Sequence, residues 1–182
     1  MPRITPIADK SEVAPEHQHV VDEVLQVFGA IRGPHSILLH DPPLDALVLR
    51  LGNYFRYDSA VKPPLRELAI ITAAREKDCL YVWAAQVGAG RRNGLREEAI
   101  ACVKERRDPS TLQPEEAEIV TYVQQLFRKN RVDQAAFEAL QKRHGIQWVL
   151  EMTALVGYYA MLAGVVNAAE LPGPPDGDVL PV

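Results

Sequence analysis

The sequence predicts an all-α fold, and three observations predict it. Apolar residues recur at the 3.6-residue period along almost the whole chain. No segment shows the strict apolar–polar alternation of a half-buried strand. Gly, Pro and Asp residues stand where such helices would start and stop. The 182 residues suit about one domain, and a composition that is 47% hydrophobic and 24% charged is that of a globular chain, which excludes disorder.

Each element follows from local chemistry. Residues 1–14 read as an N-terminal arm. After Pro15, the residues Val20, Val21, Val24, Leu25 and Phe28 form one helical face, and Gly29 stops it. Ile37, Leu38 and Leu39 make a short apolar turn closed by Asp41-Pro42-Pro43. The next helix carries Leu44, Leu47, Val48, Leu51, Tyr54 and Phe55 on one side. Pro63 and Pro64 suit the first turn of a helix through Leu65, Leu68, Ile71 and Thr72 to Glu76, because a missing N–H costs little there.

Asp78 is the expected N-cap of a helix over 79–93, with Gly94 as its stop. A short helix over 97–103 and a polar loop through Arg107-Asp108-Pro109 follow. Two amphipathic helices cover 115–129 and 133–143, the second ending at Gly145. An apolar helix over 146–170 closes a helical domain spanning 15–170. The Pro/Gly-rich tail, 171–182, is expected to be an exposed arm.

Charge and cysteine content narrow the function. Lys plus Arg is 20 against 24 Asp plus Glu, a net charge of -4, so nothing favours a nucleic-acid partner. Two cysteines, Cys79 and Cys102, are too few for a disulfide scaffold and suit a reducing compartment. The residues behind Arg3 lack the apolar core of a secretory signal. The expected location is cytoplasmic. Residues 148–169 carry one charge, Glu151, and are long enough to span a bilayer. They also hold Thr153, Tyr158, Tyr159 and Asn167 and lack a basic flank on the C-terminal side. A buried or subunit-interface helix is expected in place of a membrane span, and Ala160 and Gly164 permit close helix approach. A homo-oligomer is therefore expected.

The familiar chemical motifs are missing: no G-x-G-x-x-G, no P-loop, no H-E-x-x-H and no G-x-S-x-G. His17 and His19 lie two apart on a helix and point in different directions, so no metal site is expected. The informative stretch is Arg66-Glu67-Leu68-Ala69-Ile70, followed by Cys79 to Gln86. Spacings of three, four and seven return Cys79, Val82, Trp83 and Gln86 to one face. A break near Lys77-Asp78 folds Glu67 back toward Cys79, giving a conceivable acid–base pocket for a small molecule. The alternative is a plain core of Cys79, Val82 and Trp83, with Glu67 paired to Arg66 or Arg75. Periodicity leaves both open.

Several blocks occur together over 30–172: Leu38-Leu39-His40-Asp41-Pro42, Leu51-Gly52-Asn53-Tyr54-Phe55-Arg56, Arg66 to Ile70, Tyr81-x-Trp83-Ala84-Ala85, and Glu151 to Tyr159. In this arrangement the chain resembles the carboxymuconolactone decarboxylase / alkylhydroperoxidase D (AhpD)-like family. The resemblance implies an AhpD-like helical bundle, no cofactor, and assembly as a dimer, trimer or hexamer. In the peroxidase branch the pattern is Glu, eleven residues, Cys, two residues, Cys, three residues, His. Glu67 and Cys79 match it, while Val82 and Gln86 replace the second Cys and the His. The decarboxylase-like branch often reads E-Y-E-W with a His three residues later, and here too the acid and the His are missing.

The resemblance thus implies a small cofactor-free enzyme whose inherited site has been altered. The leading expectation is a lyase of the decarboxylase type acting on a small organic acid or lactone. Glu67 is its general base or an ion-pair partner, and Cys79 a nucleophile favoured by the helix dipole or a small buried residue. His40 is a proton shuttle or a loop-end histidine. Gln86, Tyr81 and Trp83 are the substrate-binding candidates, Gln86 by holding a carboxylate or enolate. Tyr158 and Tyr159 are expected at an interface or pocket wall. The alternatives are a peroxidase working through Cys79 alone and a non-catalytic oligomeric ligand-binding protein.

Overall fold

A computed structural model describes residues 1–181. Among these residues there are nine α-helices and no strand: α1 Gln18–Phe28, α2 Pro34–Leu38, α3 Pro42–Asn53, α4 Leu65–Glu76, α5 Leu80–Arg92, α6 Glu97–Lys104, α7 Pro114–Lys129, α8 Gln134–His144 and α9 Ile146–Ala168. A wider π turn, Tyr54–Asp58, continues α3.

The central helix is α4. Its residues from Glu67 to Arg75 are all buried, and it packs against α5, α6, α7 and α9. A helix surrounded in this way needs apolar or small side chains on every face, which Leu68, Ala69, Ile70, Ile71, Ala73 and Ala74 supply. The long α9 closes over it with Trp148, Met152, Leu155, Val156, Leu162 and Val166 inside. Its length and composition would suffice to cross a membrane, but ten of its residues are buried in the bundle.

Glu151 ties α9 to the chain after α3. Its carboxylate accepts hydrogen bonds from Ser59 Oγ at 2.6 Å, the Ala60 N–H at 2.6 Å, Gln147 Nε2 at 2.7 Å and Tyr54 Oη at 2.9 Å. Burial pushes this carboxyl upward, but the four donors together outweigh it and hold the group at about 2. Both carboxylate oxygens are engaged, so this is a structural anchor.

Four expectations are corrected. Of the side of α3 read as apolar, Val48 and Phe55 are buried, whereas Leu44, Leu47, Leu51 and Tyr54 face outward. Periodicity finds an apolar stripe but cannot say whether its own chain covers all of it. Asp78 does not cap α5: it sits in the left-handed region at φ 43, its carboxylate taken by Arg75 and Arg106, and Cys79 occupies the cap position. The tail is not a free arm. Leu180 is buried, Asp178 pairs with Arg91 at 2.5 Å, and Gly177 lies so close to Ala84 that a side chain there would overlap it. The N-terminal residues also pack, with Ile7 and Val13 buried and the Ile7 N–H donating to the Ser36 carbonyl at 2.8 Å.

Candidate functional site

Helices α4 and α5 form an antiparallel hairpin, and its two ends are chemically different. At the turn, the Cys79 N–H donates to the Ala74 carbonyl at 2.9 Å. At the open end, Asn93 Nδ2 donates to Glu67 Oε1 at 3.2 Å, and the Gly90 backbone lies against the Glu67 side chain. The step along α4 from Glu67 to Ala74 is roughly 10 Å at the helical rise. The expected meeting of Glu67 and Cys79 therefore does not occur.

Cys79 is wholly enclosed, together with Trp83 at 0% exposure and Val82 at 3%. The backbone N–H groups of the first turn of α5 favour a thiolate, as the dipole argument anticipates, but burial is the larger effect and raises the thiol above its usual range. The nucleophile expectation for Cys79 is corrected on this ground. Trp83 packs in the core, its indole N–H enclosed without a hydrogen-bond partner among the described residues. Tyr81 is half-buried with its ring against Gly33, and burial raises its hydroxyl despite the opposing charge of Arg32.

Glu67 is buried and ion-paired. Arg66 donates to its Oε1 through Nη2 at 2.9 Å and Nε at 3.2 Å, which realises the ion-pair alternative. Its second oxygen, Oε2, carries no hydrogen bond among the described residues. Gln86, half-buried, precedes Gly90 by one helical turn and so shares the α5 face that meets Glu67. His40 is elsewhere: exposed in the turn before α3, with Nε2 donating to the Thr5 carbonyl at 2.8 Å. It fastens the N-terminal arm and does not converge on Glu67.

A second polar group, unforeseen in the sequence, lies where α1, α2, α3 and α9 converge. His35 in α2 and Asp45 in α3 are both buried, and the imidazole Nδ1–H donates to Asp45 Oδ1 at 2.7 Å. Asp45 Oδ2 is enclosed without a partner. The His35 ring lies 4.8 Å from the Phe28 ring, and the Arg56 guanidinium stands 4.6 Å over that same ring. Tyr158 and Tyr159 bridge the two polar regions. Burial raises Tyr158 most, with the neighbouring Tyr159 and the charges of Arg56 and Asp45 also acting on it. Burial and the Glu67 charge push Tyr159 up to about 12. Gly52 is required here, since any side chain would strike the Tyr158 hydroxyl.

A sequence signal for this group existed. Asp45 is the one acid inside the apolar run Leu44 to Leu49, and a lone acid facing a core needs a partner. Among the described residues, no three His, Cys, Asp or Glu side chains converge in a way that could hold a metal.

The comparisons with known proteins agree on the fold. Residues 42–125 match the sequence profile of the carboxymuconolactone decarboxylase family. No curated protein matches the chain. Two solved structures share its architecture. One is an uncharacterized peroxidase-related protein from Ralstonia eutropha with an alkylhydroperoxidase AhpD core, at 16% identity and a TM-score of 0.76, covering 96% of this chain and 93% of that one. The other is a protein of unknown function from Agrobacterium tumefaciens described as a candidate antioxidant defence protein AhpD, at 17% identity and a TM-score of 0.68, covering 75% of this chain and 94% of that one. The profile falls on α3 to α7 with the AhpD-like bundle around it, so residues 42–125 are similar to the carboxymuconolactone decarboxylase family and the chain shares the AhpD-like fold.

Proposed function

We propose that the protein is a cofactor-free lyase of the decarboxylase type, acting on a small organic acid or lactone by proton transfer and not by thiol chemistry. The observation that carries this choice is the enclosure of Cys79, whose ionisation burial disfavours and which has no second cysteine within its helical turn. Peroxide reduction needs an accessible thiolate. Acid–base work needs fixed carboxylates, amides and cations, and these persist around Glu67.

In the decarboxylation, the carbon–carbon bond to the departing carboxylate breaks and its electron pair moves into the adjoining carbonyl as an enolate. Carbon dioxide leaves, and a proton is delivered to the carbon. In this reading the amide N–H groups of Gln86 and Asn93 stabilise the enolate oxygen, with Glu67 beside them. Purified protein assayed against carboxylated lactones and keto acids is expected to release carbon dioxide, with at least a tenfold loss in Glu67→Gln. No turnover on any of them, and no difference in that variant, would remove the reading.

A second reading, a non-catalytic oligomeric ligand-binding protein, is favoured by the filling of the Cys79 position with Val82 and Trp83. Oligomerisation is common to both readings. On α9, Leu150, Ala154, Gly157, Met161 and Gly164 are exposed at alternating spacings of four and three, a continuous stripe that suits a helix of a second copy. Sedimentation at micromolar concentration is expected to show a species larger than the monomer, and Met161→Glu to dissociate it. A monomer under those conditions would contradict the assembly.

A further inference from the structure

We propose that His35 and Arg56 form a binding and proton-transfer site for a small organic carboxylate, with Asp45 as the residue that positions the imidazole. The reaction this site serves rests on the lyase reading above; the binding does not. The proposal begins from a loss: the position at which the family resemblance implies a relay histidine holds Gln86, which cannot exchange a proton. The fold supplies a different imidazole.

In the neutral imidazole, giving Nδ1–H to Asp45 leaves the lone pair on Nε2. That nitrogen makes no hydrogen bond among the described residues, and it is not among the fully enclosed polar atoms without a partner. The side chain retains 6% exposure. A buried imidazole held by a carboxylate on one edge, with an unbonded nitrogen on the other, is arranged for general acid–base work. Taking a proton from solvent water at Nε2 forms an imidazolium whose Nδ1–H already faces the Asp45 carboxylate. That proton is then delivered to the carbon from which carbon dioxide has left.

Arg56 supplies the recognition. Its guanidinium is half-buried on the Phe28 ring, with no carboxylate within salt-bridge distance and no hydrogen bond from its side chain among the described residues. Nearly every other partly buried arginine of the bundle is spoken for, Arg66 by Glu67, Arg75 by Asp78 and Arg96 by Glu116. An unpaired guanidinium of this kind favours a bidentate carboxylate. Because Arg56 and His35 share Phe28 as neighbour, their separation cannot exceed the two ring distances combined, a span that a short organic acid covers. The π turn places Arg56 there, and Tyr158 and Tyr159 connect the site to Glu67.

The test uses the full chain labelled with ¹⁵N-histidine and titrated with sodium glutarate, dimethyl glutarate and inorganic phosphate. Glutarate is expected to shift the His35 ring nitrogens saturably, the uncharged diester to leave them unmoved, and phosphate to bind at least tenfold more weakly. Arg56→Gln, which breaks no ion pair, is expected to weaken glutarate binding at least tenfold. Asp45→Asn is expected to change the pH profile of glutarate binding, an effect that a purely structural role would not produce. No saturable shift at His35, equal binding in Arg56→Gln, or phosphate binding as well as glutarate (an adventitious anion site) would each overturn the proposal. Glutarate binding without turnover of any acid or lactone retains this site and removes the lyase. Turnover that survives both Arg56→Gln and His35→Gln retains the lyase and removes this site.

Discussion

The turn of the α4–α5 hairpin and the junction of α2 with α3 both bury reactive side chains, and they treat them in opposite ways. At the hairpin turn, Cys79 sits in hydrocarbon with Val82 and Trp83, and burial is the dominant influence on it. At the junction, His35 and Asp45 are buried together, the imidazole Nδ1–H donating to Asp45 Oδ1, with an arginine kept free nearby. Burial without a partner silences a titratable group; burial with one orients it. The difference shows that family position does not by itself locate chemistry, since the matched position is the quiet one.

The comparison can be broken most directly by mutation at the junction. Asp45→Ala leaves a buried imidazole N–H without its acceptor and is expected to cost about 1–3 kcal/mol in urea unfolding, beyond the packing lost. Replacing both partners with apolar residues of similar volume is expected to cost much less, because no unpaired group remains. Equal losses in the single and double variants would mean that the pair is not coupled. At the hairpin turn, Cys79→Ser introduces a hydroxyl into the same hydrocarbon and is expected to cost about 1–3 kcal/mol, whereas Cys79→Ala costs only its packing. A serine as stable as the cysteine would show that the position is not sealed.

Reactivity sharpens the same contrast. A thiol-specific reagent at pH 7 is expected to modify native Cys79 slowly and to accelerate once urea opens the fold. Rapid modification of the folded protein would reverse the assignment of the quiet end. The smallest effect concerns the Glu151 anchor between α9 and the chain after α3. Glu151 is held at about 2, below the unfolded glutamate value of about 4.3, so its contribution is complete above the unfolded value and fades as the pH falls from roughly 4 toward 2. Glu151→Gln is expected to flatten that part of the stability–pH curve; an unchanged slope would show that another carboxyl controls it.

The helical architecture was legible because it rests on local signals. Gly29, Gly94 and Gly145 all adopt the positive φ expected of helix stops, and the central α4 announced itself by its run of apolar and small residues after the first turn. The family blocks were legible for the same reason, as short patterns in sequence order. What the sequence concealed was which groups meet. Glu67 and Cys79 lie twelve residues apart on a hairpin, and a hairpin of that length carries them to opposite ends. His35 and Asp45 meet only because Asp41 and Pro42 turn α3 back across α2, and Arg56 joins them only through the wider turn after Asn53. Likewise, Leu180 and Asp178 look like tail residues until the surface of α5 is there to receive them.

The measurement that most directly tests where the chemistry resides is glutarate binding to two variants, Cys79→Ala/Cys102→Ala and Arg56→Gln, followed by calorimetry beside the unmodified protein. The cysteine-free protein is expected to bind within twofold of the original, and Arg56→Gln at least tenfold more weakly. Binding lost with the cysteines, or retained in full without Arg56, would contradict the account.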